Sequence, residues 1–180
     1  DLEAFWGALW HFLDIRASQP YESVLGARTM PGAQWFVGAR LNLVDQVFRH
    51  ANDIRPAIVA GDESGALREV SWAELQSQVA SVAAALREFG VVPGDRVVAI
   101  LPNVPQTIVA FLACASVGAI WSVCSPDMGP LAVLDRFRQI APKVLIACDG
   151  YRYGGKVFDR AAVLAEVRAA LPTVEHTLIV

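Results

Sequence analysis

Seven residues carry the most chemistry in this sequence: Gly150-Tyr151-Arg152-Tyr153-Gly154-Gly155-Lys156. Three glycines and two cations in one short loop suit an anion, because glycine lets backbone N–H groups approach a ligand closely and Arg152 and Lys156 add positive charge. The loop follows an apolar run, Lys143 to Cys148, that reads as a buried strand. A helix with Val163, Leu164, Val167 and Leu171 on one face is expected from about Val157, so its N-terminal partial charge would add to the loop. The pattern is one residue short of a nucleotide-binding G-x-x-x-x-G-K-[ST] loop: Val157 stands where a hydroxyl would hold Mg²⁺, so a P-loop nucleotidase is not expected. Two readings stand at this point, an anion site and a solvated turn with two surface cations. Trp121, before Ser122 at the end of an earlier strand, also has a double reading: a stacking surface for a flat ligand, or core. Asp127 reads as a helix cap. No Ser–His–Asp, Cys–His, paired-carboxylate or metal-ligand arrangement stands out.

The elements that must position these residues form an α/β scaffold. Of the 180 residues, 54 % are hydrophobic and 18 % charged, which suits a sheet covered on both faces. A net charge of −3 gives no reason to expect nucleic-acid or membrane-surface binding. Three cysteines in apolar runs (Cys114, Cys124, Cys148) suggest reduced thiols and a cytoplasmic protein. The uncharged stretch from Val97 to Pro126 resembles a membrane span. Pro102, Asn103, Pro105 and Gly118 divide it, and strand–helix–strand is expected instead.

In order, an amphipathic helix is expected around Phe5–Leu13, then an extended arm without period from Ala17 to Arg40. A helix follows from Leu41 to Ala51, capped by Asn42 and facing inward through Leu43, Val47 and Phe48. Ala57–Ala60 and Leu67–Val70 read as a hairpin. Ser71 and Glu74 form a capping box for a helix ending at Gly90. From Val97 on, the pattern is β-α-β-α-β-α-β with crossovers long enough for parallel pairing. Val97–Leu101, Ala119–Cys124 and Val144–Cys148 are expected as inner strands, and His176–Val180 as a last strand. The two loops Ser122–Asp127 and Asp149–Lys156 leave consecutive strands and are expected to line one crevice. The division expected is residues 1–56, N-terminal helices and arm, and residues 57–180, an α/β subdomain.

Three segments also carry a resemblance: WFVGARLN (Trp35–Asn42), PGDRV (Pro93–Val97), and SPDMG…LDRF…PKVL…DGYRYGGK (Ser125–Lys156). With them the chain resembles the acetoacetyl-CoA synthetases, a branch of the acyl-adenylate-forming ligases, over nearly its whole length. The resemblance implies an α/β fold with a mostly parallel sheet flanked by helices, part of a larger N-terminal domain. It implies ATP, acetoacetate, CoA and Mg²⁺ as reactants and ion of a two-step ligation through an acyl-adenylate. The phosphate loop, the adenine motifs and the C-terminal lid of that family are absent here. The resemblance therefore implies a portion on the CoA side, inactive alone, whose partners are the rest of a parent chain or further copies of itself. In acetyl-type relatives an Arg-Gly-Gly-Arg tetrad helps bind the CoA nucleotide. Tyr153-Gly154-Gly155-Lys156 stands there, with an arginine displaced to Arg152, and Trp121 and Ser122 fall near the CoA adenine. The alternative is a non-enzymatic module binding a nucleotide-like ligand or a protein partner.

Overall fold

The computed structural model describes residues 1–52 and 54–180. They form two compact units, Asp1–His50 and Ala51–Val180.

In the first unit, Asp1 caps helix α1 (Leu2–Phe12) by accepting from the N–H groups of Glu3 and Ala4. The segment expected as an arm without period holds an antiparallel hairpin, β1 (Ser23–Leu25) with β2 (Trp35–Val37). Aromatic packing fixes it: Trp6 meets Trp35, and Trp10 meets both Tyr21 and Phe36. Trp6 and Trp10 thus pack within the unit, whereas Phe5, Phe12 and the C-cap residue Leu13 stay exposed. Helix α2 (Leu43–Phe48) is shorter than expected, and Asn42 caps it by accepting from Val44 N–H. Its buried residue is Val44, whereas Leu43 is exposed. Arg49 donates to the carbonyls of Leu13 and Asp14, tying α2 to the end of α1.

The second unit opens with the expected hairpin, β3 (Ile58–Gly61) against β4 (Leu67–Val70). Ser71 Oγ then accepts from Glu74 N–H at the start of α3 (Trp72–Glu88). The carboxylate of Glu74 turns to Gln78 and Arg68. The alternation that follows is β5 (Arg96–Ile100), α4 (Pro105–Ser116), β6 (Ile120–Cys124), α5 (Pro130–Arg138) and β7 (Val144–Ala147). The stretch that looked like a membrane span is therefore a strand, a helix and a strand. A second hairpin, β8 (Gly150–Tyr153) with β9 (Lys156–Asp159), precedes α6 (Ala161–Ala169) and β10 (His176–Ile179).

β10, β7, β5 and β6 form one parallel sheet in that order. Helices α3 and α4 pack together, as do α5 and α6. The α5/α6 face buries Val98, Ile100, Leu145 and Ala147 against Leu134, Phe137 and Val167 in one apolar cluster. One expectation needs correcting. β6 lies at an edge of this sheet, so β5 and β7 alone are inner strands. The connection from β6 to β7 passes over β5, so these two strands, consecutive in the sheet's chain order, are not neighbours. Asp127 is corrected too: α5 starts at Pro130, whose fixed φ suits the first helical position, with Gly129 as cap residue.

Candidate functional site

β5 is followed by a helix on one face of the sheet. Its neighbour β7 is followed by a helix on the other. The carboxyl ends of these two strands are thus a topological switch point, where open α/β sheets hold ligands. A crevice of about 680 Å³ lies there. Its walls are the β5–α4 loop (Pro102, Asn103, Val104), the β3–β4 turn (Gly61–Ser64) and the β8–β9 hairpin (Tyr151, Arg152, Tyr153, Gly155).

The glycine-rich segment is a hairpin, which corrects the expected loop running into a helix. Gly154 (φ +58°) and Gly155 (φ +70°) are the two central residues of its turn. Positive φ at both is the geometry that joins twisted antiparallel strands in two residues, and glycine adopts it without strain. Gly150 is required for a different reason: a Cβ there would sit 2.9 Å from the Phe158 carbonyl oxygen. Tyr151 and Phe158 stack across the hairpin, ring centroids 5.1 Å apart. Val157 and Phe158 belong to β9, and α6 starts four residues later than expected, at Ala161. The helix N-terminus therefore does not follow Lys156 directly, and its partial charge drops out of the argument. The near-match to a nucleotide-binding loop fails for the same reason.

Two N–H groups do form an anion-binding turn, and it is filled from within the chain. Those of Gly154 and Gly155 donate to the two carboxylate oxygens of Glu63 at 2.6 and 2.9 Å. These bonds, with Arg152 nearby, hold the Glu63 carboxyl below its ordinary value. Asp62 is likewise lowered, by hydrogen bonds from Ser64. Sequence reasoning missed Glu63. The Gly-Asp-Glu-Ser-Gly turn is readable, but nothing local says that its carboxylate reaches a turn some ninety residues on.

Register separates the two cations. Tyr153 pairs with Lys156 and Arg152 with Val157. Side chains alternate along a strand, so Arg152 and Lys156 point to opposite faces of the hairpin. Arg152 lines the crevice with Tyr151, Tyr153 and Gly155; Lys156 does not. Trp121 and Ser122 lie on β6, two strands from β7 and so roughly 10 Å away. Trp121 meets Phe111 of α4 on one face, and Ser122 lies on the other with Cys124. The structure thus brings together Arg152, Tyr153, Gly154 and Gly155, and places Trp121, Ser122 and Lys156 outside the crevice wall.

The segments behind the resemblance prove largely architectural. Arg96 donates to the carbonyls of Ile140 and Ala141 at 2.7 and 2.8 Å. Lys143 donates to Gly90 O at 2.7 Å and to Asp95 at 3.4 Å. Asp95 also accepts from Val92 N–H, its carboxyl lowered by that bond first and by Lys143 and Arg96 after. These contacts sit at the amino ends of β5 and β7, opposite the crevice. Leu134 and Phe137 of the LDRF segment are core. Cys114, Cys124 and Cys148 are buried free thiols; burial pushes Cys114 up to about 12 and raises the other two.

Residues 46–180 match the family model described as AMP-binding enzyme. The chain belongs to that family. Residues 1–47 match a second model, the acetyl-coenzyme A synthetase N-terminus. The chain is 43 % identical over 166 residues to the acetoacetyl-coenzyme A synthetase of Rhizobium meliloti, covering 92 % of this chain and 25 % of that protein. It is 40 % identical over 181 residues to the acetoacetyl-CoA synthetase of Rattus norvegicus, covering 98 % and 27 %. Its fold matches the acetoacetyl-CoA synthetase of Streptomyces lividans with a TM-score of 0.95 at 49 % identity, covering 99 % of this chain and 30 % of that one. The chain thus spans about a quarter of the length of these two relatives.

Proposed function

We propose that these residues are the CoA-side portion of an ATP-dependent acid–thiol ligase that converts acetoacetate to acetoacetyl-CoA through an acyl-adenylate. The observation that carries the reading is the switch-point crevice with Arg152 on its wall, in a chain similar to acetoacetyl-CoA synthetases over nearly all its length. In the first step the acid's carboxylate attacks ATP and pyrophosphate leaves. In the second the CoA thiol attacks the acyl carbon and AMP leaves. The residues here act in the second step, by binding and orienting CoA. Arg152 meets a CoA phosphate at the crevice, with Tyr153, Gly154 and Gly155 shaping its rim. Lys156 adds charge from the hairpin face opposite Arg152. Trp121 and Ser122 belong to the proposal as edge-strand positions toward the adenine. They act from opposite faces of β6, so a single adenine meets one of the two.

ATP and Mg²⁺ are assigned to segments beyond these residues. The crevice carboxylates are committed to Ser64 and to the Gly154–Gly155 turn, and among the described residues no group of three or more His, Cys, Asp and Glu is placed to hold a metal ion. The sheet edges β6 and β10 are proposed to meet the remainder of the parent chain, and the isolated fragment to associate with itself. Buried reduced thiols support a cytoplasmic site of action. Among the described residues no helix is long and apolar enough to cross a membrane. Similarity across both family models favours the ligase over a non-enzymatic module.

The test is product analysis with the full-length protein. Given ATP, Mg²⁺, CoA and acetoacetate, it should release AMP and pyrophosphate and form acetoacetyl-CoA. The preference over acetate and propionate should appear in kcat/KM. Absence of acid-dependent AMP release would overturn the reading.

A further inference from the structure

The hairpin that carries Arg152 is held at two places. At its base, Arg160 N–H donates to Asp149 O at 2.6 Å, and Tyr151 stacks on Phe158. At its tip, the N–H groups of Gly154 and Gly155 meet Glu63. Glu63 comes from a turn that is itself organised. Asp62 accepts from Ser64 N–H at 2.8 Å and from Ser64 Oγ, and Gly65 N–H donates to Asp62 O at 3.0 Å. One ordered turn thus grips another, ion to paired N–H groups, across the mouth of the crevice. Bonds of this kind to a charged acceptor are among the strong ones. Glu63 is also exposed, so its placement there is not a by-product of burial.

We propose that Glu63 is a positioning residue for the crevice: its carboxylate clamps the Gly154–Gly155 turn and so sets the hairpin, and Arg152 with it, in the orientation that receives the anionic end of the ligand. The ligand's identity rests on the CoA reading above; the clamp does not. A consequence follows for recognition. The paired N–H groups are already taken by Glu63, so a phosphate at this crevice is met by the Arg152 side chain and not by the glycine backbone. The opposite role for the same contact is a built-in competitor, a carboxylate that the ligand's phosphate must displace. The two roles differ in sign.

The experiment uses the full-length protein with Glu63→Ala, Glu63→Gln and Arg152→Ala, read by backbone hydrogen exchange over residues 150–160 and by steady-state kinetics with CoA. In Glu63→Ala, exchange at the hairpin tip should speed up about tenfold. KM for CoA should rise severalfold, with acetoacetate-dependent pyrophosphate–ATP exchange unchanged. Glu63→Gln, which keeps the size and one acceptor oxygen, should lie between Glu63→Ala and the unmodified protein in both readouts. Unchanged hydrogen exchange would overturn the clamp whatever the ligand is. A fall in KM for CoA would overturn the positioning role in favour of the competitor. A rise in KM for Arg152→Ala without one for Glu63→Ala would also overturn it. If neither substitution alters CoA kinetics while hairpin exchange still speeds up, the clamp stands and the CoA reading fails.

Discussion

At the scale of single residues, five charged side chains of the second unit divide between the two ends of its parallel sheet. Asp95, Arg96 and Lys143 knit the amino ends of β5 and β7, and Glu63 and Arg152 stand at the carboxyl ends. The first group supports an acid-stability prediction. In the folded chain Asp95 faces Val92 N–H, Lys143 and Arg96, and its carboxyl is depressed below the ordinary value of 3.8. Its contribution is therefore fully present above that value and is lost as the pH falls through the lower folded value. Urea midpoints of the unmodified chain and Asp95→Asn should differ by a constant amount from pH 7 to about pH 4. The gap should close at lower pH, and a gap that persists to pH 2 would contradict this. Residue chemistry in the glycine-rich segment was only half legible. Glycine and cation types left two readings, an anion site and a solvated turn, and the turn's N–H groups meet a carboxylate. That the anion is Glu63, and that Arg152 and Lys156 diverge, depends on a long-range contact and on register, which composition does not carry.

Among the elements, those with local signals at both ends were readable. α3 has Ser71 at its start, an apolar repeat through Leu75, Val79 and Leu86, and Gly90 (φ +70°) past its end. Removing its cap tests that logic: Ser71→Ala should cost about 1 kcal/mol in urea denaturation, and no measurable loss would show that tertiary packing alone sets the helix start. Phe137, fully buried between α5 and the sheet, marks the opposite regime. Phe137→Ala should cost about 3–5 kcal/mol by the same measurement, because the cavity left in a packed interior collapses only in part. The β8–β9 hairpin was misread because Val157 and Phe158 run into the apolar pattern of α6. The Gly154–Gly155 pair is itself a two-residue hairpin signal, and would have divided the segment correctly. Asp127 was misread because a good cap residue competed with the Gly129–Pro130 pair, and proline at the first helical position won. The β1–β2 hairpin has three-residue strands, too short to show a period; aromatic contacts between distant residues make it.

For the whole molecule, alternation of strand and helix was enough to foresee a parallel sheet, since each crossover is long and right-handed return is the rule. Strand order was not. Whether β7 docks beside β6 or passes over to β5 is a choice between two edges of the growing sheet, a comparison no single segment contains. That order creates the switch point between β5 and β7, moves Trp121 and Ser122 to an edge, and leaves Arg152 on the crevice wall. As the CoA-side portion of the proposed ligase, residues 1–180 alone should give no acetoacetate-dependent pyrophosphate–ATP exchange above background. The central claim, that the switch-point crevice serves CoA, is tested most directly by the two half-reactions of the full-length protein carrying Arg152→Ala. A charge-assisted phosphate contact contributes roughly 1.5–3 kcal/mol, and about 1.4 kcal/mol is already tenfold. KM for CoA should therefore rise about tenfold or more, KM for dephospho-CoA should change little, and pyrophosphate–ATP exchange should keep its rate. Lys156→Glu, outside the crevice wall, should have the smaller effect. Equal damage to both half-reactions, or unchanged CoA kinetics in Arg152→Ala, would contradict the assignment.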